Sequence, residues 1–415
     1  MTKVLFISYN GATEPLIKSQ GIPYLKGLAR KGAKCVLMSF EKPSADAAAQ
    51  AGLEKELQAG MIEWRRLRYH KSPSLPATIF DILTGIVEGI KIVLSRDINI
   101  VHARATVPAV MAYVISRLTC KKFVYDERGL MAEEYADGGI WKRGGLLYRL
   151  VGSIEKKLLM KADAVVVLTD NIKGFLSRGG YLPELPDGRE LNIHVIPCCV
   201  DLARFAPSPG DKKRLRGKIG PGLADKFIII YTGSVGTWYM LDEMIDFYTV
   251  ARSVIPQAHL MVVTHIDRDA VKAALDKRGI GPEDATVTGA RFEDMPDYLN
   301  AADAGIFFIR PVLSKRSSCP IKFSEYLACG LPVVINGGIG DTAATVEDNS
   351  AGIVVRDFSS REYGRAAKEL AELAKDGGAA RRCREAAEKF YSLDSGIAKY
   401  EDVYKSASIT KGIDP

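Results

Sequence analysis

The chain has no Cys-x-x-Cys pair, and its five histidines (70, 102, 194, 259 and 265) never fall at zinc-ligand spacing. Its seven cysteines are an odd number, and the adjacent pair Cys198-Cys199 would strain any bridge between them, so reduced thiols are expected. No stretch approaches the ~20 uninterrupted apolar residues of a spanning helix. The start, Met1-Thr2-Lys3-Val4-Leu5, enters a strand pattern without a cleavable signal. These absences predict a cytoplasmic protein, at most peripheral on the inner face of the cell membrane. Gly337-Gly338-Ile339-Gly340 lacks the Gly-x-Gly-x-x-Gly spacing of a dinucleotide site. Asp267-Arg268-Asp269 imitates an Asp-x-Asp metal motif, but it precedes a helical pattern that Asp267 would cap. No metal and no cofactor are expected.

What is present is ordinary in bulk and specific in pattern. A hydrophobic share of 47% and a charged share of 26% describe a globular protein. At 415 residues it exceeds one typical core, so two domains are expected. The net charge of +7 is mild, but residues 141–161 hold six bases and one acid. That segment opens with Trp141-Lys142-Arg143 and continues into Leu146-Leu147-Tyr148-Arg149. It reads either as a patch for an anionic membrane surface or as an amphipathic helix packing its leucines on a sheet. No nucleic-acid motif accompanies it, so a nucleic-acid partner is not expected.

Strand-like runs alternate with helical patterns throughout, as in parallel sheets with helical crossovers. In the first half the strands fall near 4–9, 34–40, 62–69, 98–102, 123–126, 164–169 and 194–197. The second series lies near 227–231, 260–264, 286–288, 305–309, 333–335 and 353–355. Between them, residues 198–226 carry enough Pro and Gly to read as a linker. The fold class is therefore α/β, with two Rossmann-like domains whose ligands would sit at the carboxyl ends of the strands.

The most informative stretch is residues 320–334. Pro320 suits a helix start, Gly330 the left-handed residue after its end, and Leu331-Pro332-Val333-Val334-Ile335 a buried strand. Lys322 and Glu325 share one helix face, and the polar run Ser314 to Cys319 leads into the positive helix end. Unpaired N–H groups there suit a phosphate, and a carboxylate one turn in suits sugar hydroxyls, which together suggest a nucleotide sugar.

Several segments resemble the retaining sugar transferases of glycosyltransferase family four, which have the GT-B fold. They are Lys18-Ser19-Gln20-Gly21 within residues 14–28, Val101-His102-Ala103-Arg104, Val195-Ile196-Pro197, Tyr231-Thr232-Gly233-Ser234, Ala301-Ala302-Asp303-Ala304-Gly305, and the stretch around Glu325. The resemblance implies an acceptor-binding domain over 1–200, a nucleotide-sugar domain over 201–390, and a helix in 391–415 crossing back, with the sheets facing an interdomain cleft. It places the donor on Gly233, Ser234, Arg310, Arg316, Ser317, Ser318, Cys319, Lys322 and Glu325. It places the acceptor, a glycan or a lipid-linked molecule, near Ser19, Gln20 and Arg104. His102, Asp126, Glu127 and Arg128 end first-half strands and are the catalytic candidates; a buried ion-pair network is the alternative for them.

The chain also departs from the family pattern. Of the Glu-x7-Glu signature Glu325 matches the second acid, while Ser317 stands at the first. The glycine loop 233–239 supplies neither the usual Arg nor the usual Lys, and Lys322 fits a Pro-x-Lys-x-x-Glu subgroup that would meet the diphosphate instead. The expected function is retaining glycosyl transfer from a nucleotide sugar, in surface polysaccharide or lipopolysaccharide synthesis. A GT-B nucleotide-sugar epimerase and a non-catalytic sugar-nucleotide-binding subunit are the alternatives.

Overall fold

Parallel strands buried on both faces read as near-continuous apolar runs, and two such sheets form here. The computed structural model describes residues 1–178, 181–182, 190–208 and 210–409. Pro209 of the expected linker and residues 410–415 of the expected crossing segment lie outside the described residues.

The first unit comprises Met1–Pro197 and the last helix. Its elements are β1 (Lys3–Ser8), α1 (Pro15–Gln20), α2 (Ile22–Arg30), β2 (Lys34–Glu41), α3 (Ala47–Ala59), β3 (Ile62–Arg68) and α4 (Ser74–Arg96). They continue with β4 (Ile100–Arg104), α5 (Thr106–Thr119), β5 (Lys122–Asp126), α6 (Met131–Asp137), α7 (Leu146–Lys161), β6 (Ala164–Val167), α8 (Asp170–Arg178) and β7 (Ile193–Val195). The seven strands are ordered β3-β2-β1-β4-β5-β6-β7, all parallel, with Val4 opposite Cys35 on one side and Ile100 on the other. Helices α4, α5 and α7 cover one face, where Leu5, Val101, Met111, Ile115 and Phe123 form the core.

The second unit spans Cys198–Ser392. It holds α9 (Lys212–Ile219), β8 (Phe227–Thr232), α10 (Leu241–Val254), β9 (Ala258–Val263), α11 (Arg268–Asp276), β10 (Ala285–Thr288), α12 (Met295–Ala301) and β11 (Ala304–Phe307). A 3-10 turn (Leu313–Ser317), α13 (Ile321–Ala328), β12 (Val333–Asn336), α14 (Thr342–Asn349), β13 (Gly352–Val355), α15 (Ser360–Leu373) and α16 (Ala379–Tyr391) complete it. Its sheet order is β10-β9-β8-β11-β12-β13, again parallel. The two units are thus α/β and Rossmann-like.

The chain then returns to the first unit as α17 (Leu393–Ile409), which packs on α2, β5 and β6. The approach is close: a Cβ on Gly27 would lie 2.1 Å from Ile397 Cδ1, so only glycine fits there. Helix α17 begins two residues later than the 391 boundary, because α16 runs on to Tyr391. Residues 198–226 are more than a linker. Helix α9 lies inside them, and Arg216, 6% exposed, bonds Asp303 and the carbonyls of Ala301 and Ala224. Among the described residues no helix is long and apolar enough to cross a membrane.

Candidate functional site

Strand β8 delivers the glycine loop, and α13 delivers the charged face that meets it. Gly233 has φ +118, which favours glycine, and a Cβ there would lie 3.0 Å from Lys322 Nζ. The Lys322 ammonium sits 3.6 Å from the Tyr239 ring centroid and 4.2 Å from that of Tyr231, and it donates to Tyr231 Oη at 3.2 Å. Lys315, from the 3-10 turn, lies 3.9 Å over the Trp238 ring. The glycine loop therefore contributes aromatic faces that hold two lysines brought by other segments, in place of basic side chains of its own. Thr232 N donates to Tyr326 Oη at 2.8 Å, which ties α13 to the end of β8.

Burial dominates the electrostatics of this face. It pushes the Lys322 ammonium well below its ordinary value, while Glu325 pulls the other way. Burial likewise raises the Glu325 carboxyl to about 7, against the pull of Lys322 and Arg204. Both side chains are under 10% exposed, so each is poised to gain from a ligand of opposite or accepting character. Ser317 Oγ, fully buried, has no hydrogen-bond partner among the described residues. An orphaned buried hydroxyl calls for a ligand or ordered water.

The other donor candidates scatter. Ser234 and Arg316 are exposed, and Ser318 and Pro320 are half-buried. Arg310 is exposed and lines a cavity of about 450 Å³ with Trp238, Tyr239 and Asp267. Cys319 is buried and braces the backbone of Cys198: its Sγ accepts from Cys198 N at 3.3 Å, and Ser324 Oγ donates to Cys198 O at 2.6 Å. Pro320 is the residue before α13 rather than its first. Asp267 occupies the residue before α11 in a left-handed conformation, φ 52, and its carboxylate makes no capping bond, contrary to the expected cap. Among the described residues no group of three His, Cys, Asp or Glu is placed to hold a metal ion.

In the first unit the catalytic candidates converge, but in the interior. His102 Nδ1 and Tyr404 Oη share a hydrogen bond of 2.8 Å, and His102 Nε2 lies 3.5 Å from Asp126 Oδ2. Arg128 donates to Asp126 at 2.7 Å and to Tyr400 Oη at 2.7 Å, and Tyr400 donates to Asp126 at 2.9 Å. His102, Asp126 and Glu127 are at most 1% exposed, and Arg104 is 5% exposed. Burial alone would raise the Asp126 carboxyl; Arg128, His102 and Arg104 outweigh it and hold the group below the ordinary carboxylate range. Burial depresses His102, with Asp126 opposing. The geometry is that of the buried ion-pair network, sealed by two tyrosines of α17. Of the acceptor candidates, Ser19 spends its hydroxyl on Pro15 O at 2.9 Å, and Gln20 is buried.

Glu127 differs from its neighbour. Burial, then the charge of Glu155, raises it to about 8, with Gly129 N–H opposing. Between the ordinary glutamate value of 4.5 and about 8 the native state holds a proton that the unfolded chain has released, so stability falls as pH rises across that window. Glu127→Gln should remove that slope. Its melting-temperature gain over wild type should grow from about pH 5 to about pH 9, read by differential scanning fluorimetry. A constant difference would contradict the assignment.

Sequence reasoning missed Lys315, Trp238, Tyr239, Tyr400 and Tyr404. The adjacent pair Trp238-Tyr239, standing where relatives place charge, was the available signal for the first three. Comparison with known proteins gives a match that covers this face. Residues 226–373, all in the second unit, match the model of the family "Glycosyl transferases group 1". A D-inositol 3-phosphate glycosyltransferase of Jonesia denitrificans is 23% identical over 224 residues, 52% of this chain and 50% of that enzyme. The chain spans about half the length of the curated relatives it matches. Anabaena Alr3699/HepE, in complex with UDP and glucose, superposes with a TM-score of 0.71 at 17% identity, covering 98% of this chain and all of that one. WaaG, a glycosyltransferase involved in lipopolysaccharide biosynthesis, gives 0.66 at 16% identity, covering 99% of this chain and all of that one. The fold is GT-B, and the matches support a relationship to glycosyltransferase group 1.

Proposed function

We propose that the chain is a retaining glycosyltransferase that takes a sugar from a nucleotide-sugar donor. The observation that carries the reading is the pairing of Lys322 and Glu325, both buried, on one face at the start of α13 against the glycine loop. Departure of a nucleoside diphosphate leaves negative charge on the leaving oxygens. The N–H groups at the positive end of α13 and the Lys322 ammonium meet that charge, with Arg310, Arg316 and Lys315 as further cations. Glu325 in its ionised form accepts from ribose hydroxyls. Ser317 Oγ, standing where the family carries its first acid, offers the sugar a neutral partner. No protein nucleophile is assigned; the leaving oxygen takes the acceptor proton on the same face of the sugar. No resident metal or cofactor takes part in this reading.

The acceptor is a glycan or a lipid-linked glycan of a surface polysaccharide or lipopolysaccharide. The similarity to WaaG supports that class, and that to HepE makes a uridine diphosphate sugar the first donor to try. His102, Asp126 and Arg128 act as positioning residues: their network fixes the ends of β4 and β5, where Rossmann-like folds carry ligand contacts. A thermal-shift screen over UDP-, GDP-, TDP- and ADP-sugars tests the reading, because a ligand bound to the native state raises its melting temperature. One nucleotide series should do so, and product NMR should show the donor's anomeric configuration kept. A screen in which no nucleotide shifts the transition would sink the proposal.

A further inference from the structure

Large apolar side chains stand in water along a whole face of α4. Leu75, Ile79, Leu83 and Val87 follow at four-residue steps, with Phe80 and Leu94 beside them, and all six are 49–70% exposed. From Leu75 to Leu94, along a helix of 23 residues, this stripe runs for about 29 Å. The core does not need it. Helix α4 packs on α5 through its other face, where a Cβ on Gly85 would lie 2.6 Å from Met111 Sδ and one on Gly89 2.4 Å from Ile115 Cδ1. Helix α5 in turn packs against α7.

The first turns of α7 expose Leu146, Leu147 and Leu150 at 83%, 43% and 53%; only its far end buries Leu158 and Leu159. The leucines of residues 146–150 therefore do not pack on the sheet, contrary to that expectation. Apolar faces of this extent on a folded chain mark an interaction surface.

Charge identifies the occupant. Every acid of α4 and its borders is already engaged. Asp81 is buried and accepts from Tyr9 and His70, Glu88 pairs with Arg65 and Lys91, Glu63 with Arg96, and Asp97 with Lys3. Lys71, just before α4, and Lys142 and Arg149 on the α7 side have no ion-pair partner among the described residues. A second copy docking face to face would set these bases against their own kind. An anionic surface with an apolar interior satisfies both features. Since no described helix is long and apolar enough to cross a membrane, the stripe would lie in the interface plane.

We propose that the outer face of α4, α5 and α7 rests on a bilayer containing anionic phospholipid. The apolar side chains enter the acyl boundary and Lys71, Lys142 and Arg149 meet headgroup phosphates. The inference stands on the first unit alone, so failure of the nucleotide screen would sink the donor reading and leave this one intact.

Flotation of the full chain with phosphatidylcholine vesicles, with and without phosphatidylglycerol, tests it. The chain should float with the anionic vesicles and not with the neutral ones. The triple variant Ile79→Asn, Leu83→Asn, Val87→Asn and the double variant Lys142→Glu, Arg149→Glu should each lower partition about tenfold or more. Both sets of side chains are on the surface, and unchanged circular dichroism would verify folding. Three results would overturn the proposal: no flotation of the wild type with anionic vesicles, equal partition of either variant, or equal binding to neutral vesicles. So would light scattering that shows a wild-type dimer and a monomeric α4 variant, which would give the face to a second copy.

Discussion

Lys322→Met should lower affinity for the nucleoside diphosphate about a hundredfold while leaving the ligand-free protein as stable as the wild type or more so. The two halves of this result have one cause. The ammonium is held between the Tyr231 and Tyr239 rings at 5% exposure, and burial already depresses it. Removing a desolvated charge relieves a cost to the free protein, and methionine keeps the packing against the rings. A bound diphosphate, by contrast, loses its buried counter-charge. Truncating one partner of a buried hydrogen-bonded charge pair costs about 2–5 kcal/mol, and 1.4 kcal/mol is a tenfold change. Isothermal titration with the best nucleotide of the screen reads the affinity, and calorimetry reads the melt. A lysine serving only the fold would show the reverse: unchanged affinity and a lower melting temperature.

Asp126→Asn should lower stability while leaving nucleotide affinity unaltered. Asparagine keeps the shape, but Arg128 and Arg104 would then face no buried counter-charge. Breaking a buried pair from one side costs about 3–5 kcal/mol. At roughly 2–4 °C per kcal/mol for a unit of this size, the melting temperature should fall by about 10 °C. Because the native carboxyl is depressed, the contribution of Asp126 is present above the ordinary aspartate value of 3.8 and lost as pH falls below it. The deficit of the variant should therefore shrink in acid. Nucleotide affinity should be unaltered, since every donor candidate belongs to the second unit. A melting temperature within about 2 °C of wild type would remove the network from its stabilising role.

The sheets were legible because strands buried on both sides must be apolar at every position. Residues 227–231 and 333–335 declare themselves by composition, and their observed limits differ by a residue. Helix α9 was not legible. Its sequence Lys-Lys-Arg-Leu-Arg-Gly-Lys-Ile reads as solvated, and its anchor is an arginine whose acid partner, Asp303, lies 87 residues away. The convergence of Lys322 and Glu325 followed from helical spacing. That the glycine loop would present rings to two lysines could not be deduced, because a missing basic residue does not say what replaces it. The burial of His102 and Asp126 was likewise hidden, since their lids, Tyr404 and Tyr400, stand 302 and 274 positions downstream.

That long return of α17 bears on biosynthesis. As the ribosome extends the polypeptide, the half made first stays unfinished until the codons of α17 are read, for Tyr400 and Tyr404 emerge only then. The nascent amino-terminal half must wait through the making of its neighbour with the His102 imidazole lacking its tyrosine and Asp126 one donor short, and is aggregation-prone meanwhile. A stop just after Ser392 would thus harm the first unit, made earlier, and spare the second.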